Sequence, residues 1–218
     1  MKKSCNKTMG LFLITMVVVV GLVLYFGIFQ TGNKSQTAQT IKIDGIYLPT
    51  PKEINDFTLA DTQGNTFTKA NLKGHWTLMF FGFTNCALVC PTTMAAVNKM
   101  YQALQSELPA DKMPKIVMVS VDPDRDTVAR MKSYVTSFNP NFLGARAGIK
   151  EITALEKQLN IVAVKIQTDG KGKNHYTIDH SAEILVFNPN GQLQAYLSYP
   201  HKAEQMVQDY KLMLSQPT

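Results

Sequence analysis

Cysteine is scarce in this chain of 218 residues: there are three, and Cys5 precedes a long uncharged run. A stabilising disulfide framework is excluded, because the remaining pair, Cys86 and Cys90, would close only a short loop and return little chain entropy. Histidine occurs four times, so imidazole chemistry has to come from His75, His175, His180 or His201. Internal repeats are absent, which excludes repeat architectures. Acidic residues are missing from the first 34 positions, which hold four lysines; the rest carries eighteen basic and sixteen acidic residues, a net of +2. The formal +6 is thus partly a leader effect, and gives no case for nucleic acid binding.

Charge is also missing from Thr8 to Gly32, and Leu11 to Phe29 is almost wholly apolar. About 20 apolar helical residues span a bilayer core. Lys2, Lys3 and Lys7 precede the run, so the positive-inside rule leaves the N-terminus in the cytoplasm and sends the rest across. A cleaved secretory signal would share this orientation. Its apolar region is usually shorter, about 7–15 residues, and no small-x-small cleavage site follows closely here. Expected divisions are therefore a basic leader over 1–9, a transmembrane anchor over 10–30, a polar linker over 31–50 and an exported domain over 51–218. Cys5 lies before the anchor and reads as a free cytoplasmic thiol. The leader lacks the Arg- and Ser-rich character of a transit peptide, which favours a bacterial inner membrane with the domain on the periplasmic side.

What is present in the domain is a set of buried strands and amphipathic helices. Thr58-Leu59 and Thr66-Phe67 flank Asp61-Thr62-Gln63-Gly64, a predicted hairpin. Trp76–Phe83 and Lys115–Val121 are apolar runs of strand length, and Pro91 opens a helix that runs to Leu108. Asp126-Thr127 caps a helix to Phe138, and 150–159 is a short helix before a strand at Ile161–Ile166. Lys171-Gly172-Lys173-Asn174 marks a turn. Asn188-Pro189-Asn190-Gly191 joins a last hairpin, and a helix from His201 to Leu214 closes the chain. This order predicts an α/β, thioredoxin-like fold with an extra N-terminal hairpin, preceded by one transmembrane helix.

The two thiols sit where such a fold is most electropositive, between a strand and a helix N-terminus, where thiolate is favoured. The spacing Cys86-Ala87-Leu88-Val89-Cys90 stacks them one turn apart, within reach of a disulfide or as a two-point metal clamp. A thioredoxin-like domain usually places a cis-proline opposite the pair, before the terminal hairpin; here Ile178-Asp179-His180-Ser181 has none, and His180 takes its place. The plain alternative is a packed or surface histidine. An imidazole facing two thiolates makes a Cys₂His site, whose soft sulfurs select Cu(I) and zinc and which leaves a position open.

Three segments in order, Thr84-Asn85-Cys86-Ala87-Leu88-Val89-Cys90-Pro91, Ser120-Val121-Asp122-Pro123-Asp124-Arg125-Asp126-Thr127 and Tyr176-Thr177-Ile178-Asp179-His180-Ser181, resemble the Sco (SenC) proteins. The resemblance covers about Phe57 to Leu214. It implies a membrane-tethered domain that binds one copper ion, as Cu(I) or Cu(II), through Cys86, Cys90 and His180. Its partners would be a copper donor and the copper A subunit of cytochrome c oxidase, which it would metallate or whose cysteines it would reduce.

Other residues have plainer readings. His75 and His175 face solvent, His201 is a first-turn helix residue, and Asp122, Pro123 and Asp126 form a turn and helix cap that lacks the spacing of a calcium loop. In the resembling family that segment is a signature which could shape a docking face. Asp179 is either an acceptor orienting His180 or an exposed turn carboxylate. A competing reading uses the same two cysteines as a thiol–disulfide oxidoreductase without metal, Cys86 attacking and Cys90 resolving. A peroxiredoxin is disfavoured: Val89-Cys90-Pro91-Thr92 resembles its peroxidatic segment, but Cys86 stands where that family has threonine.

Overall fold

The computed structural model describes residues 16–25, 41–168 and 175–216. The chain divides into two compact units, Met1–Gln39 and Thr40–Thr218. In the first, residues 16–25 form a helix, α1, with exposed side chains. Among the described residues no helix is long and apolar enough to cross a membrane. About half of the anchor expected over 10–30, and residues 31–40 of the linker, lie outside the described residues.

The rest of that linker needs correcting. Residues 45–50 belong to β1 (Gly45–Lys52), which pairs antiparallel with β10 (Leu193–Leu197) at the edge of the main sheet. Gly45 opens the strand where no side chain fits: a Cβ there would stand 2.0 Å from the Tyr196 carbonyl oxygen. Pro49 and Pro51 are tolerated because an edge strand leaves one row of backbone groups unpaired.

Eight strands form the main sheet in the order β1-β10-β9-β4-β5-β6-β2-β3. At its centre β4 (Thr77–Gly82), β5 (Lys115–Ser120) and β6 (Leu143–Arg146) run parallel. β4 is buried along its whole length, as continuous apolar runs in parallel sheets are. The expected hairpin is β2 (Thr58–Asp61) with β3 (Thr66–Thr68), and β2 joins β6. The terminal hairpin is β9 (Ile184–Phe187) with β10, and β9 pairs antiparallel with β4. Helices α2 (Val89–Glu107), α3 (Val128–Phe138), α4 (Ile149–Gln158) and α5 (Ala203–Leu214) complete the unit, with α2 packed on α5 and α3. The last begins two residues later than predicted, leaving His201 ahead of it.

Register places the chemistry. Gly82 and Ser120 are partners at the ends of β4 and β5, so the cysteine loop and the Asp122–Asp126 loop leave the sheet side by side. That is the carboxyl edge of the parallel strands, where α/β sheets carry their ligands. A second correction concerns the strand after α4. It is β7 (Ala163–Gln167), and among the described residues it does not join the main sheet and pairs only with β8 (Tyr176–His180). Val164 and Ile166 are exposed, so a place in the buried sheet would not suit it. The turn expected at 171–174 lies outside the described residues.

Candidate metal centre

Pro91 shapes the cysteine loop. It has no N–H to give the carbonyl of Ala87 and its ring would crowd that carbonyl, so the helix cannot extend back to Cys86. Leu88 is accordingly the N-cap, Cys90 the second residue of α2, and Cys86 lies in the loop before it. The two cysteines therefore do not share a helix face as the spacing suggests; the loop folds back instead. Cys90 N–H donates to Cys86 Sγ at 3.3 Å, so the sulfur takes one of the unpaired amides at the helix start.

Cys90 is fully buried against the end of β4. Gly82 makes room for it: a Cβ there would lie 3.0 Å from Cys90 Sγ and 2.7 Å from the Phe80 ring. Gly82→Ala is expected to lower stability by about 1–3 kcal/mol, the usual range for overpacking. Thermal unfolding of the apo domain beside wild type measures it.

His180 ends β8 opposite Ala163. Its ring is packed edge-on between Phe80 and Phe83, with centroids 5.9 and 5.7 Å away. Nδ1–H donates to the Ser181 carbonyl at 2.8 Å, which leaves the Nε2 lone pair facing Cys90 Sγ at 3.3 Å. The donor atoms of Cys86, Cys90 and His180 all lie within 4.8 Å of one another. Asp179, weighed as the orienting acceptor, is exposed, as strand alternation requires beside an inward His180. The Ser181 carbonyl does that work, and Ser181 is itself fixed by two hydrogen bonds to the Val162 backbone.

Electrostatics separate the thiols. The Cys90 hydrogen bond, with help from His180 and the amides of Cys90 and Leu88, pulls Cys86 down to about 3. Cys90 is pushed up by the same shared hydrogen bond and by burial. One thiolate and one thiol at neutral pH follow, a coupled pair holding one proton. Burial also lifts Glu156, on α4, to about 7. The folded chain thus keeps that proton to higher pH than the unfolded chain, and the stability it contributes is lost as pH rises from about 4.5 through 7. Glu156→Gln should gain on the order of 2 kcal/mol over wild type at pH 8 and nearly nothing at pH 4, by urea unfolding.

The Asp122–Asp126 segment is the expected turn, closed by Arg125 N–H and Asp126 N–H on the Asp122 carbonyl, and its two carboxylates are in addition buried clamps. Asp126 accepts from Thr84 N–H and Oγ1–H, and from Ser120 Oγ–H at 2.7 Å, fixing the loop two residues before Cys86. The cap of α3 is Thr127, whose hydroxyl accepts from Arg130 N–H. Arg130 reaches back to Thr84 Oγ1 and Asn85 Oδ1. Asp122 accepts from Arg125 Nε at 2.5 Å and from the Tyr176 hydroxyl at 2.6 Å. The Arg125 guanidinium lies 3.6 Å from the Tyr176 ring centroid and donates to the Tyr176 carbonyl. Arg125 and Tyr176, which residue-by-residue reading did not single out, thereby join β8 to the cysteine side. His175 is exposed as expected, His75 is half-buried with an unpartnered Nε2, and His201 donates from Nε2 to the Ala182 carbonyl.

Residues 47–215 match the SCO1/SenC family model. The chain belongs to the SCO1/SenC family. It is 32% identical to the mouse mitochondrial SCO2 homologue over 72% of this chain and 60% of that protein, so it spans under two thirds of that relative's length. The structure of Bradyrhizobium japonicum ScoI with copper bound is 32% identical, with a TM-score of 0.63 over 72% of this chain and 96% of that one. The crystal structure of yeast Sco1 with copper bound is 26% identical, with a TM-score of 0.69 over 77% and 91%. The SCO1/SenC match takes in all three segments and all of the main-sheet strands except the first two residues of β1.

Proposed function

We propose that this protein carries one copper ion as cargo on Cys86, Cys90 and His180, and delivers it to the copper A site of cytochrome c oxidase. One observation carries the reading: two sulfurs and an imidazole lone pair converge within 4.8 Å, with the tautomer already set for ligation. Copper in the ScoI and Sco1 relatives supports the choice of metal. Soft thiolates favour Cu(I), the imidazole also suits Cu(II), and three donors leave room for an incoming ligand. Binding by both sulfurs displaces the Cys90 proton, so uptake is pH-dependent. Release to a partner bearing two thiolates is ligand exchange, in which half-exposed Cys86 is the first sulfur an acceptor can replace.

The basic leader and the apolar run from Leu11 to Phe29 support a single-pass anchor that holds the domain on the periplasmic face of a bacterial inner membrane. A copper donor and the oxidase's copper A subunit are the partners this reading requires. Metal analysis of the reduced chain decides it: one copper per chain is expected, and none bound with both thiols free would end it.

A second reading has its own support. Cys86 is thiolate at neutral pH and Cys90 stands beside it, the arrangement of an attacking and a resolving thiol. Disulfide exchange by copper-free protein, retained in His180→Ala, would favour it over delivery.

A further inference from the structure

A cavity of about 80 Å³ lies behind the cysteine helix, lined by Thr92, Thr93, Tyr199, Pro200 and His201. Two of these residues carry a buried polar atom with no hydrogen-bond partner: Thr93 Oγ1 and His201 Nδ1. Thr92 shows the ordinary outlet for a helical hydroxyl, since its Oγ1–H is shared by the Leu88 and Val89 carbonyls. Thr93, three residues beyond Cys90 and 1% exposed, does not use it. His201 donates from Nε2 to the Ala182 carbonyl at 2.8 Å, so its Nδ1 carries a lone pair. Burial keeps that ring neutral. An unpaired buried group costs about 1–3 kcal/mol. Two such groups line one cavity with room for a water, which needs only about 10–15 Å³ of space of this kind.

We propose that this cavity binds an ordered water, which accepts from Thr93 Oγ1–H and donates to His201 Nδ1, and that His201 so held positions His180. The path is short. Thr93 stands on the helix that carries Cys90. His201 holds the Ala182 carbonyl, Ser181 is fixed on the Val162 backbone, and the Ser181 carbonyl accepts from His180 Nδ1–H. The helix bearing one sulfur and the segment bearing the imidazole are thus registered to each other from behind, without contact at the donor atoms. An apolar residue at 201 would release the Ala182 carbonyl, and the peptide that sets the His180 tautomer would turn with it.

The test uses the full-length chain and the variants His201→Leu, His201→Gln and Thr93→Val. Only its affinity arm rests on the copper reading. Ring-nitrogen chemical shifts of histidine-labelled, metal-free protein should show His180 protonated on Nδ1 in wild type. His201→Leu should give a mixture of tautomers, and His201→Gln, whose amide can donate to Ala182, should restore the wild-type pattern. Thr93→Val, which keeps the volume, should move the His201 ring shifts. Cu(I) competition should show affinity about 10-fold weaker for His201→Leu, the lower end for residues that orient a ligand, and near wild type for His201→Gln. Unchanged His180 shifts and affinity in His201→Leu would overturn the positioning role, and unchanged His201 shifts in Thr93→Val would overturn the water site. If His201→Leu does not fold, His201→Gln and Thr93→Val decide the matter through the ring shifts. If wild type takes up no copper, the proposed function fails while the ring shifts still judge this inference.

Discussion

His180→Ala is expected to lower copper affinity by about a thousandfold or more, roughly 4 kcal/mol, while both thiols stay titratable. In the proposed site the ring is one of three donors, and its two aromatic neighbours and the Ser181 carbonyl hold it with Nε2 facing Cys90. Alanine removes the donor and opens a gap between Phe80 and Phe83, so little can take its place. Isothermal competition with a Cu(I) chelator gives the affinity, and thiol titration of the same sample shows whether the cysteines survive. An affinity within tenfold of wild type would mean that the imidazole is packing rather than ligand.

Arg125→Ala should have the largest effect on stability, about 3–5 kcal/mol, because it strands a buried carboxylate. Asp122 is wholly buried and its Arg125 partner nearly so, with side-chain exposures of 0% and 11%. Removing the guanidinium also takes away the stack on Tyr176 and the bond to its carbonyl. Chemical unfolding would measure the loss. The double variant Arg125→Met with Asp122→Asn should recover much of it, since replacing both partners leaves no uncompensated charge. Arg125→Lys should not, because an ammonium lacks the planar fork that reaches the carboxylate and the Tyr176 carbonyl together while stacking on the ring. Wild-type stability in Arg125→Ala would mean that the Asp122 site is open to water.

The three residues that converge are legible in sequence because their chemistry is local: two cysteines at a strand–helix junction, and a histidine where the fold order places the opposing loop. The buried strands β4 and β5 are legible for the same reason, as unbroken apolar runs. What escapes is whatever depends on pairing at a distance. β1 is concealed by Pro49 and Pro51, which look like breakers until an edge is there to accommodate them. The segment after α4 has the composition of a strand, but nothing in it says that it pairs with β8 rather than with the main sheet. Asp122 and Asp126 read as turn and cap residues; their burial depends on Arg125, Tyr176, Thr84 and Ser120, which the fold brings against them. The backbone acceptor for His180 is invisible in principle, since every residue has a carbonyl.

The β7–β8 ribbon forms no ladder with the eight-stranded sheet. The imidazole at its end is therefore held in the site by side-chain packing and by the bonds of Arg125 and Asp122 to Tyr176, and by no ladder of that sheet. The sulfurs and the ring thus sit on separately built parts of the domain, the former at the start of the sheet's helix and the latter on a two-stranded arm.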